Sequence, residues 1–310
     1  MKIHLHLIPL LLLFAGNNAL SQHREDSIHS SAPITRYPAI HNPGTAEMFK
    51  RKGNFFFYWG YNRAAYTKSD IHFWGDGYDF TITDVTAKDE PTTTVLTYIE
   101  PDAFTVPQYN YRLGYFFSDK NFISLGEDHM KYGIEKQATR LTGTITTGEN
   151  TGTYDNTEVL VGEEGEGELS IIDSLPKGFV SEFEHCDGLN DAGFEFGRVQ
   201  QLWISWNRKH VLTVIGTIGP GLVIPDTEAE VLGHNAYHDQ DKMTYHLAGY
   251  SFSTSIGIQF DFCNHFFLLT RLKGGYMNLP DINTTIEGGT ASQHFSFIEP
   301  MLVAGYSRSF

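Results

Sequence analysis

The chain has 310 residues, 41% of them hydrophobic and 19% charged, with a formal net charge of −15 and 2 Cys. Beyond the extreme N-terminus no apolar run reaches the roughly 18 residues a membrane helix needs, which excludes a helical membrane protein. The negative balance repels phosphate backbones and argues against a nucleic-acid partner. Two cysteines cannot build a disulfide scaffold, while an aromatic content of 14% leaves many rings in need of apolar surroundings.

Residues 1–21 read as an export signal, with Lys2 as the positive start, an apolar core from Leu5 to Ala15, and Ala19-Leu20-Ser21 as a cleavage site. Residues 22–50 are polar, broken by prolines and without period, the pattern of a flexible periplasmic leader. From residue 51 a period of two takes over. It predicts strands over 53–66, 106–117, 121–136, 190–205, 208–220, 246–262, 265–277 and 293–310.

The first strand aligns Phe55, Phe57, Trp59 and Tyr61 against Asn54, Gly60 and Asn62, with Phe56 and Tyr58 breaking the polarity of the second face. The next aligns Tyr109, Tyr111, Leu113, Tyr115 and Phe117 against Gln108, Asn110, Arg112 and Gly114. In the fourth, a bulge near Arg198 to Gln200 accounts for imperfect alternation. The longest clean row is Tyr250, Phe252, Thr254, Ile256, Ile258, Phe260 and Phe262, opposed by serines, Gly257, Gln259 and Asp261. Leu268, Thr270, Leu272 and Tyr276 then face away from Arg271 and Lys273, and Ile298, Leu302, Ala304, Tyr306 and Phe310 face away from Glu299, Gly305, Ser307 and Ser309. Each strand is built for two different solvents.

Three connections, 118–120, 206–208 and 263–264, have hairpin length. The others, about 67–105, 137–189, 221–245 and 278–292, are long and polar. Short turns at one end and long loops at the other are the asymmetry of outer-membrane barrels. The expected fold is an all-β, antiparallel up-and-down transmembrane β-barrel of eight strands with long extracellular loops. Segments 70–83 and 178–186 are expected as β-rich extensions above the membrane. Such a barrel has room inside only for its own side chains. Arg112, Arg271 and Lys273 with Asp128, Glu195, Asp261 and Glu299 should therefore form an interior polar network that fills the lumen, with a narrow, porin-like ion path through it as the alternative. A periplasmic sandwich or lipocalin-like barrel is the competing reading, and there the apolar rows would line a cavity.

The final strand MLVAGYSRSF stops at an aromatic carboxyl terminus, and the stretches NFFFYWGYNRAAYTKSDIHFWGDGYDFTITD, EDHMKY and FEHCDGLN look like recurring segments of one group of barrel proteins. On these features the chain resembles small outer-membrane β-barrels of Gram-negative envelopes, particularly the uncharacterised barrel proteins of Bacteroidota. The resemblance implies outer-membrane lipid and lipopolysaccharide as surroundings, a barrel-assembly machinery that reads Phe310, and a monomeric chain without cofactor. The run Glu182 to Asn190 is similar to the His-containing strand motif of outer-membrane lipid A deacylases, in which a His-x-Ser pair and a Glu cut an acyl ester. By that similarity His185 would be the catalytic base, although position 187 is Asp and not Ser. Asp187-Gly188 reads equally as a turn that leaves His185 solvated.

Residues 147–168 carry Glu149, Asp155, Glu158, Glu163, Glu164, Glu166 and Glu168 without a Lys or Arg. This is the composition of a solvated mobile loop, or of a site for divalent ions. His234 and His238, with Asp239 and Asp241, have metal-ligand spacing only if helical. His129 and Lys131 lie near the top of the third strand, where they read as plain rim residues or as contacts to lipid A phosphates. Cys186 and Cys263 fall at opposite ends of the barrel, too far apart to bridge. Two functions follow: an envelope protein of structural or binding type that displays its long loops, or a lipid A deacylase-like hydrolase using His185.

Overall fold

A computed structural model describes residues 48–310 apart from 101, 102, 104, 163–170, 236–244, 264, 285–287 and 310. The predicted signal and all but the end of the leader lie outside the described residues, as do Phe310, His238, Asp239 and Asp241. Sixteen strands occur in the order β1 (Asn54–Asn62), β2 (Ala65–Tyr66), β3 (Ser69–Gly75), β4 (Tyr78–Val85), β5 (Ala87–Lys88), β6 (Tyr109–Phe116), β7 (Asn121–Ile134) and β8 (Gln137–Ile145). They continue with β9 (Gly152–Val161), β10 (Val180–Ile204), β11 (Val211–Pro225), β12 (Glu228–Val231), β13 (His234–Asn235), β14 (Gly249–Phe262), β15 (Phe266–Asn283) and β16 (Thr290–Ser309).

Eight of these pair in the order β1-β6-β7-β10-β11-β14-β15-β16, and β16 pairs back to β1 from Asn62↔Met301 to Asn54↔Ser309. The ring is closed and every pairing in it is antiparallel, so it is an eight-stranded up-and-down barrel without an edge. Its strands are the eight predicted ones with altered ends. The first strand stops at Asn62, because Ala65–Tyr66 pairs with β16 as a separate β2. The register irregularity of β10 falls between Gln201 and Trp203, just past the predicted bulge.

Above the ring stands a second body of strands, the head. Beyond Met301 the long β16 exchanges β1 for β2 and then β3, and the sheet runs on as β16-β3-β4-β8-β9. Segment 70–83 thus forms β3 and β4, a hairpin turned at Gly77, whose φ of 83° lies in the left-handed region that favours glycine. Segment 178–186 is not a separate strand. It begins β10, which passes from head to barrel through a register shift between His185 and Leu189. Residues 137–161 also depart from the sequence reading, since β8 and β9 pair as a hairpin where a mobile loop was expected. The head packs around Ile71, Phe73, Phe80, Ile82, Leu141 and Phe183, all essentially without exposure.

At the opposite end, near the short turns, Phe56, Tyr58, Phe116, Phe122, Val199 and Phe267 form an apolar plug inside the barrel. The two rings that seemed to break the inner face of the first strand belong to it. Phe56, Phe122 and Phe267 each lie over the glycine directly across the next strand, Gly114, Gly197 and Gly305. A Cβ on any of these glycines would fall within the facing ring. Gly197→Ala should therefore displace Phe122 and cost about 1–3 kcal/mol, the usual penalty of overpacking. The check is a lower temperature for conversion of the folded to the unfolded band on a gel.

Candidate functional site

Alternation delivers one polar layer to the middle of the lumen, between the plug and the head. Arg112 on β6 donates to Asp128 on β7 at 2.6 Å and lies 3.5 Å from Glu195 on β10. Arg271 on β15 donates to Glu195 at 2.5 Å, to Ser255 Oγ at 2.6 Å and to the Tyr58 hydroxyl at 2.7 Å. Lys273 pairs with Asp128 and, at 2.8 Å, with Asp191, which also accepts from Ser251 at 2.6 Å. These side chains have almost no exposure. Removed from water, each charge depends on its partners.

Three features of this layer differ from the sequence reading. Asp261 does not join the central group. It pairs at 2.6 Å with Arg51, which also donates to Thr213 at 3.0 Å. Arg51 directly follows the leader, whose last described residues enter the mouth of the barrel, and the segment is tied there by Phe49 N–H to Gln201 and by the Arg51 and Lys52 N–H groups to Asp119. Those two N–H donors hold the Asp119 carboxyl below its ordinary pKa. Nothing in the alternation signals this inserted segment. Asp191 was also missed, because the turn-like Asp187-Gly188 placed it at a strand end. Glu299 reaches the lumen, but no protein donor meets either of its oxygens. The luminal charges are therefore Arg51, Arg112, Arg271 and Lys273 against Asp128, Asp191, Glu195, Asp261 and Glu299, all buried. Among the described residues the count leaves one carboxylate over.

Between the Arg51 pair and the central group lies a cavity of about 30 Å³, lined by Tyr58, Glu195, Gln259, Asp261, Phe267 and Arg271. That volume admits water and no organic ligand. Among the described residues, the entering segment and the plug stand at one end of the lumen and the head core at the other.

His185 lies in the head, fully buried, and is not the solvated residue of a turn. Its Nδ1 meets Thr227 Oγ1 at 2.9 Å and its Nε2 meets Gln293 Nε2 at 3.1 Å, while the rings of Tyr132 and Phe183 flank it at 5.4 and 5.3 Å. Gln293 can only donate at that contact, so the ring is neutral and carries its proton on Nδ1. Burial, with a smaller contribution from His246, pulls its pKa down to about 3. Below the unfolded value of about 6.5 the unfolded chain takes up a proton that the folded head refuses. The head should lose stability as pH falls through that window towards 3, and His185→Gln should flatten the dependence. Amide exchange of β10 and β7 residues in the head, compared at about pH 7 and about pH 4, measures it.

The outward rows are exposed at Tyr250, Phe252, Ile256, Ile258 and Phe260 and half-buried at Tyr109, Tyr111, Tyr115 and Phe262. His129, expected at an open rim, is 7% exposed, stacked 4.7 Å from Tyr109 and bonded to Asn190 at 2.8 Å. His234 is in β13, opposite Val231, so the helix its metal-ligand spacing required is not formed there. Cys263 is a free, exposed thiol in a short turn. Among the described residues, the grouping with ligand atoms close enough for a metal is Glu182, Glu184 and Glu228, whose carboxylates lie within 4.8 Å of one another, half-buried on the head.

No protein-family model matches the chain, and no match was found among curated proteins. Among solved structures it is similar to the outer membrane protein OprG from Pseudomonas aeruginosa at 10% identity and a TM-score of 0.40, over 84% of this chain and 98% of that one. Ail, the attachment invasion locus protein of Yersinia pestis, is similar at 10% identity and a TM-score of 0.33, over 83% and 99% of the two chains. The outer membrane protease OmpT from Escherichia coli gives 7% identity and a TM-score of 0.18, over 82% and 96%. At these scores the likeness is weak, and the eight-stranded barrel stands on its own strand pairing.

Proposed function

We propose that the chain is an integral outer-membrane protein in which a sealed barrel is the anchor and the head is the surface that meets ligands or other surfaces. The observation that carries this is the belt. Every strand of the ring turns large apolar side chains outward, among them Phe57, Leu113, Leu125, Phe194, Ile218, Ile256, Leu272 and Leu302, each between 39% and 62% exposed. An apolar surface running round the whole molecule is foreign to a soluble monomer. The charged layer occupies the inside at the same level, the reverse of a lipocalin, where the apolar face lines the cavity. Lipid around the belt accounts for both faces.

In this reading the short turns face the periplasm, residues 1–21 direct export, and residues 22–50 are the periplasmic leader. Lipopolysaccharide surrounds the outer half, the barrel-assembly machinery inserts the chain by its last strand, and the closed ring needs no second copy. The chain should leave membranes only with detergent and change gel mobility on heating. It should give no stable open events in a planar bilayer. Recovery in the wash without detergent would overturn the anchor, and large steady conductance would overturn the seal. The hydrolase alternative finds no support at His185, which has no exposed surface and both ring nitrogens occupied. His185→Ala is expected to leave the acyl content of lipid A unchanged.

A further inference from the structure

The surplus negative charge of the lumen has a definite place. Glu299 is 0% exposed and both its oxygens lack a donor. Lys273, directly across from it on β15, sends its ammonium to Asp128 and Asp191 instead. The wall running away from Glu299 in the other direction continues the pattern. Two residues along β16 on the same face is Met301, opposite Asn62 on β1. The Asn62 N–H donates to the Gln108 carbonyl, Asn110 follows Gln108 on the same face of β6, and Asn110 is opposite Asp128 on β7.

Four adjacent strands thus present an arc of Glu299, Asn62, Gln108, Asn110 and Asp128. Each has at least one buried oxygen without a donor: Asn62 Oδ1, Gln108 Oε1, Asn110 Oδ1, Asp128 Oδ1 and both oxygens of Glu299. The amides have their nitrogens engaged, on the Tyr109 carbonyl, on Asp89 and on the Met301 sulfur, so their oxygens are the ends left without a partner. Buried polar atoms in native proteins are satisfied by protein, water or an ion, and these six acceptors have no protein donor.

We infer that this arc binds one monovalent hard cation, Na⁺ or K⁺, with Glu299 as its charged ligand and the amide oxygens completing an all-oxygen shell. A proton on Glu299 would balance the charge and leave the amide oxygens and Asp128 unsatisfied. Water would satisfy the oxygens and leave the charge, so proton and water would have to act together. An alkali cation does both, and oxygen atoms are the ligands hard cations take. The inference rests on the closed lumen and not on lipid around it, so its test is separate from membrane extraction.

Full-length protein is refolded into detergent with Na⁺, K⁺, Rb⁺ or choline as the sole cation at equal ionic strength, and the thermal transition is followed. The expected result is a saturable rise with an alkali cation over choline, since a ligand bound only by the folded state raises its stability. Elemental analysis after gel filtration into choline should find that ion retained in a one-to-one ratio with the chain. In Glu299→Gln, which keeps size and removes the charge, both the rise and the retention should be lost. Indifference of the natural chain to all three ions overturns the inference, whether or not the variant folds. So does equal retention by Glu299→Gln. An infrared carbonyl band of a protonated carboxylic acid that disappears in Glu299→Gln would assign the balancing charge to a proton and overturn it as well.

Discussion

Lys273→Met is expected to cost the barrel about 3–5 kcal/mol, the range for breaking a buried ion pair by removing one partner. Methionine preserves the length and most of the volume of the side chain, so packing is nearly unchanged and the loss isolates the charge. Asp128 would keep Arg112 at 2.6 Å, but Asp191 would be left with the Ser251 hydroxyl alone. The lumen would then hold three cations against five anions where it now holds four against five. The measurement is a urea titration of the folded band in detergent, with Lys209→Met in an exposed short turn as the comparison, where a change within about 0.5 kcal/mol is expected. A loss for Lys273→Met no larger than that of Lys209→Met would mean that water reaches the layer, and the sealed lumen would have to be abandoned.

The legible parts of this molecule are those where one residue decides one face. Tyr250 to Phe262 shows its outward row without knowledge of any neighbour, because the pleat alone assigns alternate residues to opposite sides. Arg112, Arg271 and Lys273 are legible as inward by the same rule. What the rule does not carry is which inward charges meet. Asp261 and Glu195 are both inward, yet Asp261 lies in the lower layer with Arg51, a residue outside any strand, and register alone sets that layer. Phe56 and Tyr58 are inward by parity although they are aromatic, and they read as exceptions until Gly114 is known to lie opposite Phe56.

The head was obscure for a different reason. Its β8 and β9 are rich in Thr, with Gly143, Gly152 and Asn156 among them and one solvated face, so composition resembled a loop. Their pairing depends on β4, more than 50 residues earlier, as in Thr83↔Arg140. His185 was misplaced because Asp187-Gly188 resembles a turn, whereas β10 runs through it with a register shift.

Whether hydrocarbon or water touches the belt is decided by a single arginine. Ile256 is 46% exposed, pairs with Gly216 and Leu272, and lies beside Gly257, which is opposite Arg271 of the charged layer, so it is at mid-height on the outside. In water an exposed Ile→Arg change is worth within about 0.5 kcal/mol. At the middle of a bilayer an outward arginine costs about 2–4 kcal/mol, falling to about 0–1 near the interface. Ile256→Arg is therefore expected to lose about 2–4 kcal/mol when folded into lipid vesicles. Phe266→Arg, 50% exposed beside a short turn, should lose about 1 kcal/mol or less. The depth dependence is the decisive quantity, because a general intolerance of charge would penalise both positions alike. Equal, near-zero losses at the two sites would leave the belt without lipid and the anchor without its physical basis.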